Sequence, residues 1–116
     1  MTEKSLRDQI RAATVGSKTH FASKNVTWEG FEVEIRQPSY KSRKDLYKKC
    51  RDGEGNVDPT EFLVWSVIEN TFVPGTDEKV FEKADYEGLI SKPAGGFIDE
   101  FGAVAIEMFN PDKGKN

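Results

Sequence analysis

Beyond Asp58 the chain reads Pro-Thr-Glu-Phe-Leu-Val-Trp-Ser-Val-Ile-Glu-Asn-Thr-Phe, and this stretch most constrains the fold. Asp58 followed by Pro59 is an N-cap followed by a first helical residue. The spacing predicts a helix from Pro59 to about Phe72, stopped by Pro74-Gly75. Phe62, Leu63, Val64, Trp65, Val67, Ile68 and Phe72 then fall nearly all round it. A helix that is apolar on every side must be covered on several sides. It is expected at the centre of the molecule, with the rest of the chain as its cover.

The first candidate cover is a hairpin. Val26 and Trp28 alternate with polar residues, Glu29-Gly30 makes a two-residue turn, and Phe31, Val33 and Ile35 alternate again. A two-residue loop places Trp28 opposite Phe31 and Val26 opposite Val33, so all five apolar side chains share one face. Pro38 ends the second strand, because it has no N–H for a ladder.

Helices make up the remainder. Ser5 and Asp8 resemble a capping box, and Leu6, Ile10 and Ala13 follow at helical spacing. Ser42 and Asp45 are read as a second capping box, opening a helix with Leu46, Tyr47 and Cys50 on one stripe. The basic residues from Lys41 to Arg51 spread around its polar arc, as on a solvated face. Residues 77–92 read as one or two short helices carrying Val80, Phe81, Tyr86, Leu89 and Ile90. After Pro93-Ala94-Gly95-Gly96, a last helix over about 97–109 carries Phe97, Phe101, Val104 and Met108 on a stripe widened by Ile98, Ala105 and Phe109. The expected architecture is α+β: an N-terminal β-hairpin packed against a mostly α-helical domain of four to five helices. Residues 1–110 form one domain and residues 111–116 a disordered tail.

Charge and composition narrow the function classes. With 17 Lys and Arg against 20 Asp and Glu, the net charge of −3 has the wrong sign for nucleic acid as the main partner. No apolar run approaches the roughly 20 residues of a membrane span, and the N-terminus lacks a signal-peptide stretch. A single cysteine, Cys50, favours a reducing compartment, so a cytoplasmic location is expected.

No motif carries recognisable catalytic chemistry. His20 is the only histidine, and no serine elbow accompanies it. Cys50 sits on an apolar stripe, where small buried thiols are common. Gly53-x-Gly55 lacks the third glycine and preceding strand of a phosphate loop. The sharpest local pattern runs over residues 50–61. In the frame of a calcium loop, Asp52 and Glu54 take positions three and five, Gly55 the turn, Asp58 position nine and Glu61 the bidentate twelfth. Position one is Cys50, a soft ligand that hard calcium disfavours, and no second loop is present. These four carboxylates are the candidate metal ligands of an alternative reading as a calcium-binding module. The plainer reading is a loop joining two helices, and no cofactor is expected.

The order of these elements resembles tail assembly chaperones of long-tailed phages and prophages. The likeness rests on the hairpin from Val26 to Arg36, the charged helix with Arg43, the hydrophobic helix around Phe62 to Phe72, Leu89-Ile90-Ser91-Lys92 and the closing apolar helix. It spans about residues 5–110. It implies a non-enzymatic protein of the bacterial host cytoplasm that binds the tape measure protein, keeps it soluble and self-associates. The family offers no site residues to transfer. The apolar stripe at the chain end, with Phe97, Phe101, Met108 and Phe109, is the expected partner-binding surface.

Overall fold

The structure, a computed structural model, describes residues 5–16 and 21–109. Its elements in chain order are α1 (Leu6–Ala13), β1 (Ser23–Trp28), β2 (Phe31–Arg36), α2 (Tyr40–Lys49), α3 (Pro59–Asn70), β3 (Thr71–Phe72), α4 (Tyr86–Ile90) and α5 (Phe97–Glu107), with a 3₁₀ turn at Lys83–Asp85. The architecture is α+β. His20 and the tail from residue 110 lie outside the described residues.

The hairpin takes the register set by its turn. Trp28 faces Phe31 and Val26 faces Val33, while Glu29 and Gly30 both adopt positive φ (48° and 83°). That is the type I′ turn whose twist matches the flanking strands. Val33 and Ile35 are buried. Phe31 lies at the hairpin tip, beyond the reach of the core, and stays exposed.

The hairpin does not stand alone. β3 adds a third antiparallel strand beside β2, pairing Ile35 with Thr71 and Glu34 with Phe72. The predicted helix therefore stops two residues early, at Asn70. Thr71 and Val73 are β-branched, and Val73 precedes Pro74, which disfavours the helical region. The exposed edge of β2 supplies ladder partners that a further helical turn would have left unpaired. The following turn is tied back to β2: Glu34 Oε1 accepts from Gly75 N (3.0 Å) and Arg36 donates to Asp77 (3.0 Å). The Gly75 N–H, and next the bond from Arg36 Nε to Glu34 Oε2 (2.6 Å), hold the Glu34 carboxyl below its ordinary range.

α3 is central, as its sequence predicts. Each of three apolar clusters contains residues of this helix. Val67 packs with Val33 and Ile35 of the sheet and Phe101, Ala105 and Met108. Phe62 packs with Leu46, Cys50 and Phe109. Val64 and Ile68 pack with Leu89 of α4. Burying each large side chain contributes roughly 1.5–3 kcal/mol. Asp58 caps the helix as expected, its Oδ1 accepting from Thr60 N (2.9 Å) and Glu61 N (3.1 Å).

α2 is capped three residues before the expected position. Ser39, not Ser42, is the N-cap, and its Oγ accepts from Ser42 N at 3.0 Å. The chain leaves β2 through Pro38, so Ser39 is the first residue with extended backbone and a capping oxygen. α1 is capped as predicted, Ser5 Oγ accepting from Asp8 N at 3.1 Å, but none of its residues is buried.

α5 packs on α3 with Gly102 against the Leu63 side chain, which would have to move to admit a Cβ. A Cβ at Gly102 would overlap Leu63 Cδ1 and come within 2.8 Å of Leu63 Cγ. Gly102→Ala is expected to destabilise the domain by about 1–3 kcal/mol, the usual cost of overpacking a filled core. Urea denaturation checks this. The double variant with Leu63→Ala should lose less than the sum of the single losses, because the two residues occupy the same space.

Candidate functional site

The loop between α2 and α3 is closed upon itself by its own backbone. Arg51 and Val57 form an antiparallel bridge. Asp52 N donates to Asn56 O (2.7 Å), and Asp58 N donates to Cys50 O (2.8 Å). Gly55 takes the positive φ of 85° that the tight turn requires. Asp52 Oδ1 accepts from Glu54 N (2.8 Å) and Asn56 N (3.0 Å), so its carboxylate staples the turn.

Each carboxylate proposed as a metal ligand from the sequence is thus placed. Asp52 holds the loop and Asp58 caps α3. Glu61 accepts a 2.5 Å hydrogen bond from the Tyr86 hydroxyl. Glu54 meets this set through its backbone, its N–H donating to Asp52 Oδ1. Among the described residues, no group of three or more His, Cys, Asp or Glu side chains is positioned to hold an ion. The calcium-loop spacing is satisfied in sequence but not in space, because the turn closes on backbone bonds rather than opening around a centre.

Above this loop lies an open groove of about 360 Å³. Its wall is an aromatic stack, with Trp65 and Tyr86 rings 4.7 Å apart at 11° and Lys49 Nζ 3.8 Å from the Trp65 ring centre. The Glu61 hydrogen bond, then burial, pushes the Tyr86 hydroxyl up to about 12. Burial pushes the Cys50 thiol up to about 11, with Glu61 and Asp58 adding to the effect and Lys49 opposing it. At neutral pH the thiolate nucleophile is therefore a trace species, roughly one part in ten thousand. The groove offers stacking and ionic contact.

The partner-binding stripe expected at the chain end is core. Phe101 is buried, and Phe97 is half-buried against Trp28 and Phe81. Met108 is 5% exposed and Phe109 7%. Phe109 meets Phe62 edge-on at 5.2 Å, covering the first turn of α3. The correction follows from the demand of the central helix. Phe62 needs a cover that α2 alone does not provide, and the residues just past α5 supply it.

Exposed apolar side chains occur on α1, as well as at Phe31, Tyr40 and Ile106. Leu6 is 72% exposed and Ile10 54%, on the face where their spacing places them, and Val15 beyond the helix is also exposed. This amphipathicity is legible in the sequence, although the periodicity alone would ordinarily place the stripe against a core. No described helix is long and apolar enough to cross a membrane.

No protein-family model matches this chain, and neither a curated protein nor a solved structure is significantly similar to it.

Calorimetric titration of the metal-free protein with calcium is expected to show no site tighter than about millimolar, since sensor-grade loops need the full ligand set. A micromolar site abolished by Glu61→Gln would contradict the geometry described.

Proposed function

We propose that this protein is a non-enzymatic tail assembly chaperone of a phage or prophage, which holds the long helical tape measure protein in solution during tail assembly. The observation that carries the reading is α1. It is an amphipathic helix of eight residues with no buried side chain and with Leu6 and Ile10 open to solvent. A helix this short is marginal by itself in water, because nucleation is costly and few hydrogen bonds repay it. Its apolar stripe gains stability only by packing on another surface. A helical client provides one, by laying an apolar face along the stripe.

The rest of the molecule is consistent with such a role. A client-holding protein needs a stable body, a face for the client and a charged remainder for solubility. The three clusters around α3 make the body, and charged residues make up 32% of the chain. Holding a client requires no nucleophile. The client face is assigned to α1 in place of Phe101, Met108 and Phe109, which are buried, and Phe97, which is half-buried against Trp28 and Phe81. The same stripe serves self-association, since two copies can pair it in isologous fashion. The proposed setting is the host cytoplasm, without nucleic acid or membrane among the partners.

Co-expression with a long helical tape-measure-like client tests this. The client is expected in the soluble fraction with the wild-type protein and in the pellet without it. The double variant Leu6→Ser/Ile10→Ser should lose that effect while keeping its circular dichroism and melting temperature. A client equally insoluble with and without the protein would overturn the chaperone reading. A double variant as effective as wild type would overturn the assignment to α1.

A further inference from the structure

The cations of α2 divide into two sets. Arg43 and Lys49 are taken up by neighbouring rings, the Arg43 guanidinium 5.1 Å from the Tyr40 ring centre and Lys49 Nζ 3.8 Å from that of Trp65. Lys41, Lys44 and Lys48 are exposed, on the side opposite the buried Leu46 and Cys50. Their spacing of i, i+3 and i+7 sets all three on one line along the helix, about 10 Å from end to end. Arg51, also exposed, follows just past the helix. Among the described residues none of these four is in an ion pair, and the pairs that do form use Arg7, Lys24, Arg36 and Lys79.

This line works against the helix that carries it. The first turn of α2 contains no acid, and Lys41 and Arg43 stand there against the macrodipole. Lys44 and Lys48 are at i, i+4, where like charges repel. A solvated face ordinarily intersperses both signs. From Lys41 to Arg51, six cations accompany one acid, Asp45, in a chain whose net charge is −3. Charge placed at the expense of the local fold points outside it. Beside the lysines runs an aromatic line. Tyr40 is 84% exposed, and Tyr47, seven residues on, is 39% exposed and held in place by stacking on Phe62 at 5.2 Å. Exposed tyrosines of this kind serve as anchors for a partner.

We infer that the outer face of α2 docks an acidic amphipathic helix of a partner polypeptide, its carboxylates along Lys41, Lys44 and Lys48 and its apolar side chains on Tyr40 and Tyr47. Charge complementarity makes the partner an anion, and the extent of the line sets its kind. The unpaired lysines cover only two helical turns, and directly after Arg51 come the exposed acids Asp52 and Glu54. The phosphates of a longer polyanion running on along α2 would meet those carboxylates. A partner helix has the same period as α2, so acids at i, i+3 or i+4, and i+7 stay in step with the three lysines over that length. The surface uses no residue of α1, and the inference does not depend on the chaperone reading.

The test is an NMR titration of the full-length ¹⁵N-labelled protein with a synthetic helical peptide carrying Glu along one face and Leu beside it. An isomer with the same residues scrambled off that face, a single-stranded DNA oligomer and phosphatidylglycerol vesicles are titrated in parallel. The faced peptide is expected to produce saturating shifts at the amides of Tyr40, Lys41, Lys44, Tyr47 and Lys48. It should bind about tenfold or more tightly than its isomer. Lys41→Glu/Lys44→Glu should weaken it by about tenfold or more, as surface ion pairs become repulsions. The melting temperature of this variant should hold or rise, because acids near the N-terminus suit the helix dipole. A peptide with Lys in place of Glu should bind the variant more tightly than it binds the wild type. Unsaturable shifts, shifts centred elsewhere, equal affinity for the faced and scrambled peptides, or unchanged affinity in the variant would overturn the inference. So would the DNA oligomer or the vesicles binding more tightly than the faced peptide.

Discussion

Everything in this fold follows from one helix that has no face to give to water. Val67 is fully buried between the sheet and α5. Phe62 points towards α2, and Val64 and Ile68 towards α4. Three directions of burial around one axis demand three covers, and the chain supplies them from elements distant in sequence. This requirement explains features that look incidental in isolation. α4 has only five residues, yet Leu89 and the neighbouring Tyr86 are enough to close one side. α5 carries Gly102 because its backbone must lie against Leu63. The chain end folds back with Phe109 on Phe62 because that turn would otherwise be wet.

Local chemistry made much of this legible. The Glu29-Gly30 turn specifies both hairpin and register, since its length leaves one pairing in which the apolar side chains share a face. Asp58-Pro59 marks the start of α3, and the apolar girth of that helix announces its central position. What stayed hidden depends on tertiary pairing. β3 is two residues long, and its strand character arises from the open edge of β2 rather than from any pattern of its own. Ser39 and Ser42 both offer capping oxygens, and the path of the chain out of β2 chose the first. Met108 and Phe109 stand next to the tail, where exposure is the ordinary expectation. Their burial is set by Phe62, far away in sequence. Of the carboxylates over 50–61, those of Asp52 and Asp58 are engaged by backbone N–H groups and that of Glu61 by Tyr86, contacts that spacing alone does not reveal.

The molecule separates two kinds of surface. Apolar exposure includes Leu6 and Ile10 of α1, which lies outside the three clusters, together with Phe31 at the hairpin tip and Tyr40 at the start of α2. Unsatisfied polarity is concentrated at the other end of the logic, where α3 runs into β3. Ser66 Oγ, Asn70 Nδ2 and Thr71 Oγ1 are buried there without partners. Ser66 and Asn70 are the buried polar side chains of α3, and Thr71 is that of β3.

The central claim is that α3 is the common support of the domain while α1 stands outside it. Native-state hydrogen exchange measures both at once, because opening free energies range from near zero for frayed segments to the global value for the core. The amides of Val64, Val67 and Ile68 should exchange only through global unfolding, with a protection free energy equal to that of denaturant unfolding. The amides of α1 should exchange with little protection in the isolated protein. Amides of α3 that open well below the global value, or an α1 protected as strongly as α3, would contradict the account.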